Sequence, residues 1–128
     1  MSSTRLWLGI VILIATAFLF YNVANAFLAD SVEQIGLRSV VIALLSAFAG
    51  GIVARNGFVL PAIALWLALW TVTVYFLYAI AAPVDPNPLP GIARHNWAAF
   101  LGSGVATIVG AQLGQALVKK RASHPAAT

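Results

Sequence analysis

The sequence predicts an all-α integral membrane bundle of four transmembrane helices, with both termini on the cytoplasmic side. Three observations carry this. The first is composition: 62% of the 128 residues are apolar and 8% are charged, where a soluble domain holds about 45–50% and about 25%. A water-soluble globule of this size cannot hide so much apolar surface. The second is the presence of four apolar stretches near the length of about 20 residues that crosses a hydrocarbon core of about 30 Å. The third is the placement of the basic residues. The stretches are continuous rather than alternating, which argues against barrel strands.

The first helix is expected over 6–28, with no charge between Arg5 and Asp30. Ala24, Asn25 and Ala26 have the small-x-small form of a signal-peptide cleavage site. The long apolar run and the single basic residue before it favour an uncleaved helix. The second helix is expected over 32–54. Its apolar part, 39–54, is short, but Ser31 and Gln34 fit a capping box, in which each side chain satisfies a free amide of the other residue. Its first turns, with Glu33, Gln34 and Arg38, then lie at headgroup level. The third helix is expected over 58–82; Pro61 falls about one turn inside it, where the missing amide is tolerated. The fourth is expected over 97–118, followed by a basic tail, 119–128. The connection 83–96 holds Pro83, Pro86, Pro88 and Pro90 and is expected to be a rigid external loop, a connector or a docking segment.

Orientation follows from basic residues in short connections. Arg5, Arg55, Lys119, Lys120 and Arg121 fall on one side. Arg38 and Arg94 fall on the other, together with Asp30, Glu33 and Asp85, which are all the acids of the chain. The first group is expected in the cytoplasm. Size, short loops and the absence of cysteine point to a bacterial inner membrane.

Several activities lose support. Without cysteine, disulfide scaffolds and thiolate chemistry are excluded. No carboxylate lies within a span, which counts against proton-coupled antiport. There is no phosphate-binding glycine loop, HExxH or nucleophile elbow. His95 and His124 are the only histidines and neither lies inside a span, so an intramembrane bis-histidine haem is not expected. The net charge of +4 is explained by the membrane anchor, and nucleic-acid binding would need a basic soluble surface. No catalytic, cofactor-binding or metal residues are assigned, and enzyme activity is not expected.

The remaining signals concern packing and polarity. Gly102, Ala106, Gly110 and Gly114 recur at intervals of four, a small-residue ridge that permits close helix approach. Ala43, Ala47 and Gly51 form a shorter version, with Ser46 and Gly50 alongside. Trp66 and Trp70 share a face with Thr73, too deep for the usual interfacial tryptophan. They are expected against the glycine ridge, Trp66 level with Gly110 and Trp70 with Ala106, an indole donating to Thr107, Ser103 or a carbonyl. The functional version of this arrangement is an aromatic-walled slot for a lipid tail, quinone or apolar drug. Asn22, Asn25, Ser103, Thr107 and Gln112 form a candidate polar pathway; Gln112, almost opposite the ridge, could instead mark self-association. Trp7, Phe27, Tyr75, Tyr78 and Trp97 look like aromatic belts. Aromatic-to-alanine runs near 18–26 and 75–82 hint at a parallel repeat of two hairpins.

Two functions follow as expectations. One is a structural, accessory or assembly subunit acting through helix packing, with membrane lipids and a homo-oligomer or larger complex as partners. The other is a small oligomeric transporter or channel for an apolar or neutral solute.

Overall fold

A computed structural model describes residues 3–27 and 34–124. The described residues form four helices: α1 (Ser3–Phe27), α2 (Gln34–Ala54), α3 (Val59–Ala81) and α4 (Leu89–Ser123). Each is long and apolar enough to cross a membrane. Ser31 of the expected capping box lies outside the described residues.

The largest difference from expectation is α4. It has 35 residues, about 52 Å at 1.5 Å per residue, and extends past both ends of 97–118. Pro88 is its N-cap and Pro90 lies in its first turn, where a proline ring fits the helical φ and no internal amide bond is lost. Half of the expected proline loop therefore starts a helix. The amide of Ile92 donates to Pro88 O at 3.0 Å, and the connection shrinks to 82–88. Within it the amide of Asn87 donates to Asp85 Oδ1 at 2.9 Å. The expected tail also stays helical as far as Ser123. Lys120 and Arg121 fall in the last turn, where the macrodipole favours cations.

The bundle is built on α2 and α4. Both start at the end carrying the 28–33 and 82–88 connections, here the loop end, and run parallel toward the end carrying both termini. α1 packs on α2, and α3 packs on α4. Two antiparallel hairpins thus meet through their second helices.

Glycines set the α2–α4 distance. A Cβ placed on Gly110 would strike Leu44 O, and one on Gly114 would strike Phe48 O. In return, a Cβ on Gly51 would come within 2.6 Å of Ala111 O. Ala47 and Ala111 are buried in this seam. The small-residue ridge of α4 therefore faces the small residues of α2, and not the tryptophans of α3 as expected. The reason is steric: two small-residue faces admit backbone against backbone, which leaves no width for an indole.

At the terminal end the helices converge on Phe58, which is completely buried. Its ring fills a notch between α1 and α2. A Cβ on Gly50 would lie 2.6 Å from its Cε1, and one on Gly9 would lie 3.0 Å from its Cε2. The preceding turn needs two left-handed residues, Arg55 (φ 66°) and Gly57 (φ 68°). Gln115 of α4 closes the turn. With its amide oriented by hydrogen bonding, its Oε1 accepts from Gly57 N at 2.9 Å and Phe58 N at 2.6 Å. These are amides that the start of α3 leaves without helical partners.

Candidate functional site: a cavity between the four helices

α1 and α3 flank the α2–α4 pair, and Phe58, just before α3, packs against Gly9 of α1 at the terminal end. Between α1 and α3, in the half of the bundle toward the loop end, lies a cavity of about 540 Å³. Every helix contributes a wall. Leu13, Ala17 and Tyr21 come from α1; Ile42, Ala43 and Ser46, with Ser39, come from α2. Trp66, Leu69, Trp70 and Thr73 form the α3 side, and Asn96, Ala99, Ser103 and Thr107 the α4 side. No lining residue is charged.

The α3 wall is fixed by one hydroxyl. Trp66 Nε1 donates to Ser103 Oγ at 3.0 Å and Trp70 Nε1 donates to the same oxygen at 3.1 Å. Ser103 Oγ in turn donates to Phe100 O at 3.1 Å. A serine hydroxyl offers one proton and two lone pairs, so Ser103 is saturated. Phe100 packs beneath both indoles, its centroid 4.6 Å from Trp66 and 5.3 Å from Trp70, the latter edge-on. These are favourable aromatic distances. The Trp66 ring passes over Gly104, where a Cβ would lie 2.7 Å from Cζ2.

The hydroxyls of Thr107, Thr73 and Ser46 give their protons to their own helices. Thr107 Oγ1 donates to Ser103 O at 2.7 Å, Thr73 Oγ1 to Leu69 O at 2.8 Å and Ser46 Oγ to Ile42 O at 2.6 Å. Asn96 Nδ2 donates to Ile92 O at 2.9 Å. This back-bonding to the preceding turn is the usual recourse of a mid-helix hydroxyl. It leaves hydroxyl lone pairs and Asn96 Oδ1 as acceptors. With both indole protons committed, the polar part of the wall is chiefly accepting.

The register of the indoles differs from expectation. Trp66 lies over Gly104, six residues before Gly110, and Trp70 shares Ser103 with it rather than lying level with Ala106. The shorter connection causes this: folding α3 back from 82–88 mirrors the chain about Asp85, so that Trp66 meets position 104. Ser103 is among the acceptors expected for an indole; Thr107 does not serve, because the register brings both indole N–H groups to Ser103.

The candidate polar pathway separates. Ser103 and Thr107 line the cavity. Asn22 is exposed and its Nδ2 donates to Phe18 O at 2.7 Å. Asn25 is exposed and its Oδ1 accepts from Arg38 Nη2 at 2.7 Å, tying α1 to α2. The Arg38 guanidinium lies 6.0 Å from the ring centroid of Tyr21, at the loop end of the cavity. Gln112 is exposed and does not line the cavity. Sequence reasoning missed Phe100, Gly104, Asn96 and Ser39. Gly104 and Phe100 sit four apart, beside the ridge rather than on it, and a helical wheel centred on the tryptophans' acceptor would have found them. No group of metal-ligating side chains occurs among the described residues. No protein-family model, curated protein or solved structure matches the chain.

Proposed function

We propose that this chain is an integral membrane protein that takes a neutral amphiphile into the cavity between its helices and serves as a small carrier or channel for it. The observation that carries the proposal is the uncharged, indole-walled cavity. Its volume of about 540 Å³ falls within the range of about 300–1,000 Å³ that ligand sites occupy. Its chemistry narrows the occupant to an apolar body with a hydrogen-bond donor, such as a long-chain alcohol. Acceptors on Thr107, Thr73, Ser46 and Asn96 would receive the donor, and the indole faces and Leu13, Leu69 and Ile42 would hold the chain. A free cation would find no carboxylate, and an anion few donors.

Large apolar side chains cover the outside of the bundle, among them Phe18, Leu60, Phe76 and Ile80, as lipid-facing helices require. The positive-inside bias supports N-in/C-in orientation, and we place the protein in a bacterial inner membrane on its short loops.

Tryptophan emission of the purified protein, titrated with a brominated long-chain alcohol, tests the proposal. Saturable quenching by the alcohol, weaker with the matching carboxylate and trimethylammonium compounds, is expected. Ala43→Phe, which fills the cavity from the α2 side and keeps both tryptophans in the chain, should abolish saturation. Equal, unsaturable quenching by all three compounds would overturn the reading. Flux of the alcohol across liposomes, lost in Ala43→Phe, extends it from binding to transport.

A second reading has its own support. Ala62 is the one buried residue of α3, so this helix offers most of its surface to a neighbour. An accessory or assembly subunit, or a homo-oligomer, would use that surface. A stoichiometric partner or second copy retained in mild detergent would favour it.

A further inference from the structure

A second hollow lies at the opposite, terminal end. Its volume is about 630 Å³, and Arg5, Arg55 and Lys119 line it together with Asn56, Ala54, Val118 and Ala122. The three cations come from α1, from the turn after α2 and from α4. Among the described residues the one acid is Asp85, in the connection at the loop end. Among the described residues no carboxylate side chain lies beside these cations.

Two backbone features show that the charge is placed against local preference. Arg5 sits in the first turn of α1, which carries no acidic residue, at the positive end of the helix macrodipole, where a cation is disfavoured. Arg55 occupies the left-handed position that ends α2, φ 66°, and its amide donates to Gly51 O at 3.1 Å. That is the αL helix stop, a position that glycine fills by preference. An arginine held in that conformation is strained, and strain of this kind marks sites where the side chain has a task.

The geometry points to a phosphate-binding site here, filled by the headgroup of an anionic phospholipid. Guanidinium groups match phosphate oxygens with paired donors, and lysine adds a point charge. The free amides at the start of α1 face the same end and favour an anion. The apolar side chains in the lining, Ala54, Val118 and Ala122, suit the apolar part of a lipid more than a hydrated inorganic ion. The site is separate from the amphiphile cavity, and stands if that cavity proves empty.

Binding of phosphatidylglycerol to the full-length protein in neutral detergent, counted by native mass spectrometry, tests it, with phosphatidylcholine and inorganic phosphate as parallel probes. Phosphatidylglycerol should bind in preference to phosphatidylcholine. A basic residue near an anionic surface contributes about 1 kcal/mol, a factor of about five, so Arg5→Gln, Arg55→Gly and Lys119→Gln should each weaken binding about fivefold. Arg55→Gly is the decisive variant, because it relieves the backbone strain: thermal stability without lipid should be unchanged or higher while lipid binding falls. Lys120→Gln and Arg121→Gln, outside the hollow, should bind as the parent does. Losses in these two as large as in the three would show diffuse attraction and overturn the site. Unchanged binding in Arg55→Gly would also overturn it. Full competition by inorganic phosphate at the lipid's own concentration would overturn the lipid assignment.

Discussion

The two faces of α4 meet their neighbours in different ways. Toward α2, Gly110 and Gly114 bring backbone against backbone, and the seam is closed. Toward α3, Ser103 and Gly104 receive two indoles, and a cavity remains beside them. Both faces are rich in small residues; what differs is the partner. Where the partner is also small, as at Ala47 and Gly51, the helices approach until main chains touch. Where it is aromatic, the ring holds the helices apart and its edge needs a polar anchor. A stripe of glycine and alanine therefore specifies proximity only together with the face that meets it.

The comparison can be broken at the seam first. Gly110→Leu would push a side chain into Leu44 O and Phe48 N. Overpacking costs about 1–3 kcal/mol where side chains can yield, and here the obstacle is main chain. A loss of about 3 kcal/mol or more is expected, as a collapse of the melting temperature in detergent. Parental melting would mean that α2 does not occupy the ridge.

On the α3 face, Ser103→Ala removes the acceptor of two indole protons at once. Interhelical hydrogen bonds in membranes average about 0.6 kcal/mol each, so about 1–2 kcal/mol is expected, with an altered tryptophan emission spectrum. Ser103→Thr should restore much of both. A variant with unchanged emission would show that the indoles are held by packing on Phe100 alone.

The closure of the α2–α3 turn by α4 gives a smaller effect. Gln115→Ala exposes the amides of Gly57 and Phe58, and a lost cap costs about 1 kcal/mol. Faster amide exchange at these two positions is the direct measurement. The smallest effect belongs to Asn22→Leu. Its amide already bonds to Phe18 O on its own helix and it faces outward, so stability should stay within about 0.5 kcal/mol and alcohol quenching should not change. A loss of quenching would return Asn22 to the pathway.

Helix number and type were legible because long apolar runs leave a chain no alternative once charge is absent. The small-residue ridge was legible for the same reason: Gly102, Gly110 and Gly114 recur at helical spacing. Its partner was not, because hydropathy gives no pairing between helices and neighbours in sequence are the default choice. The indole register went astray through one boundary. Prolines mark both loops and helix starts, and reading Pro88 and Pro90 as loop displaced Trp66 by six residues. The separation of Asn22 and Asn25 from Ser103 lay beyond sequence as well, since depth along a span does not say which way a side chain turns. The sequence puts Arg55 in a short connection, but its left-handed backbone is visible only in three dimensions.

The parallel seam between α2 and α4 has a consequence for biosynthesis. Ribosomes deliver α2 long before α4, with the whole of α3 and its hairpin turn still to come. During that interval the face carrying Ala47 and Gly51 has no match, and any glycine-striped helix nearby, including the α4 of a sister chain, can take it. Early release or slow translation across α3 would therefore yield cross-paired chains, and α4 acts as the latch on the four-helix unit.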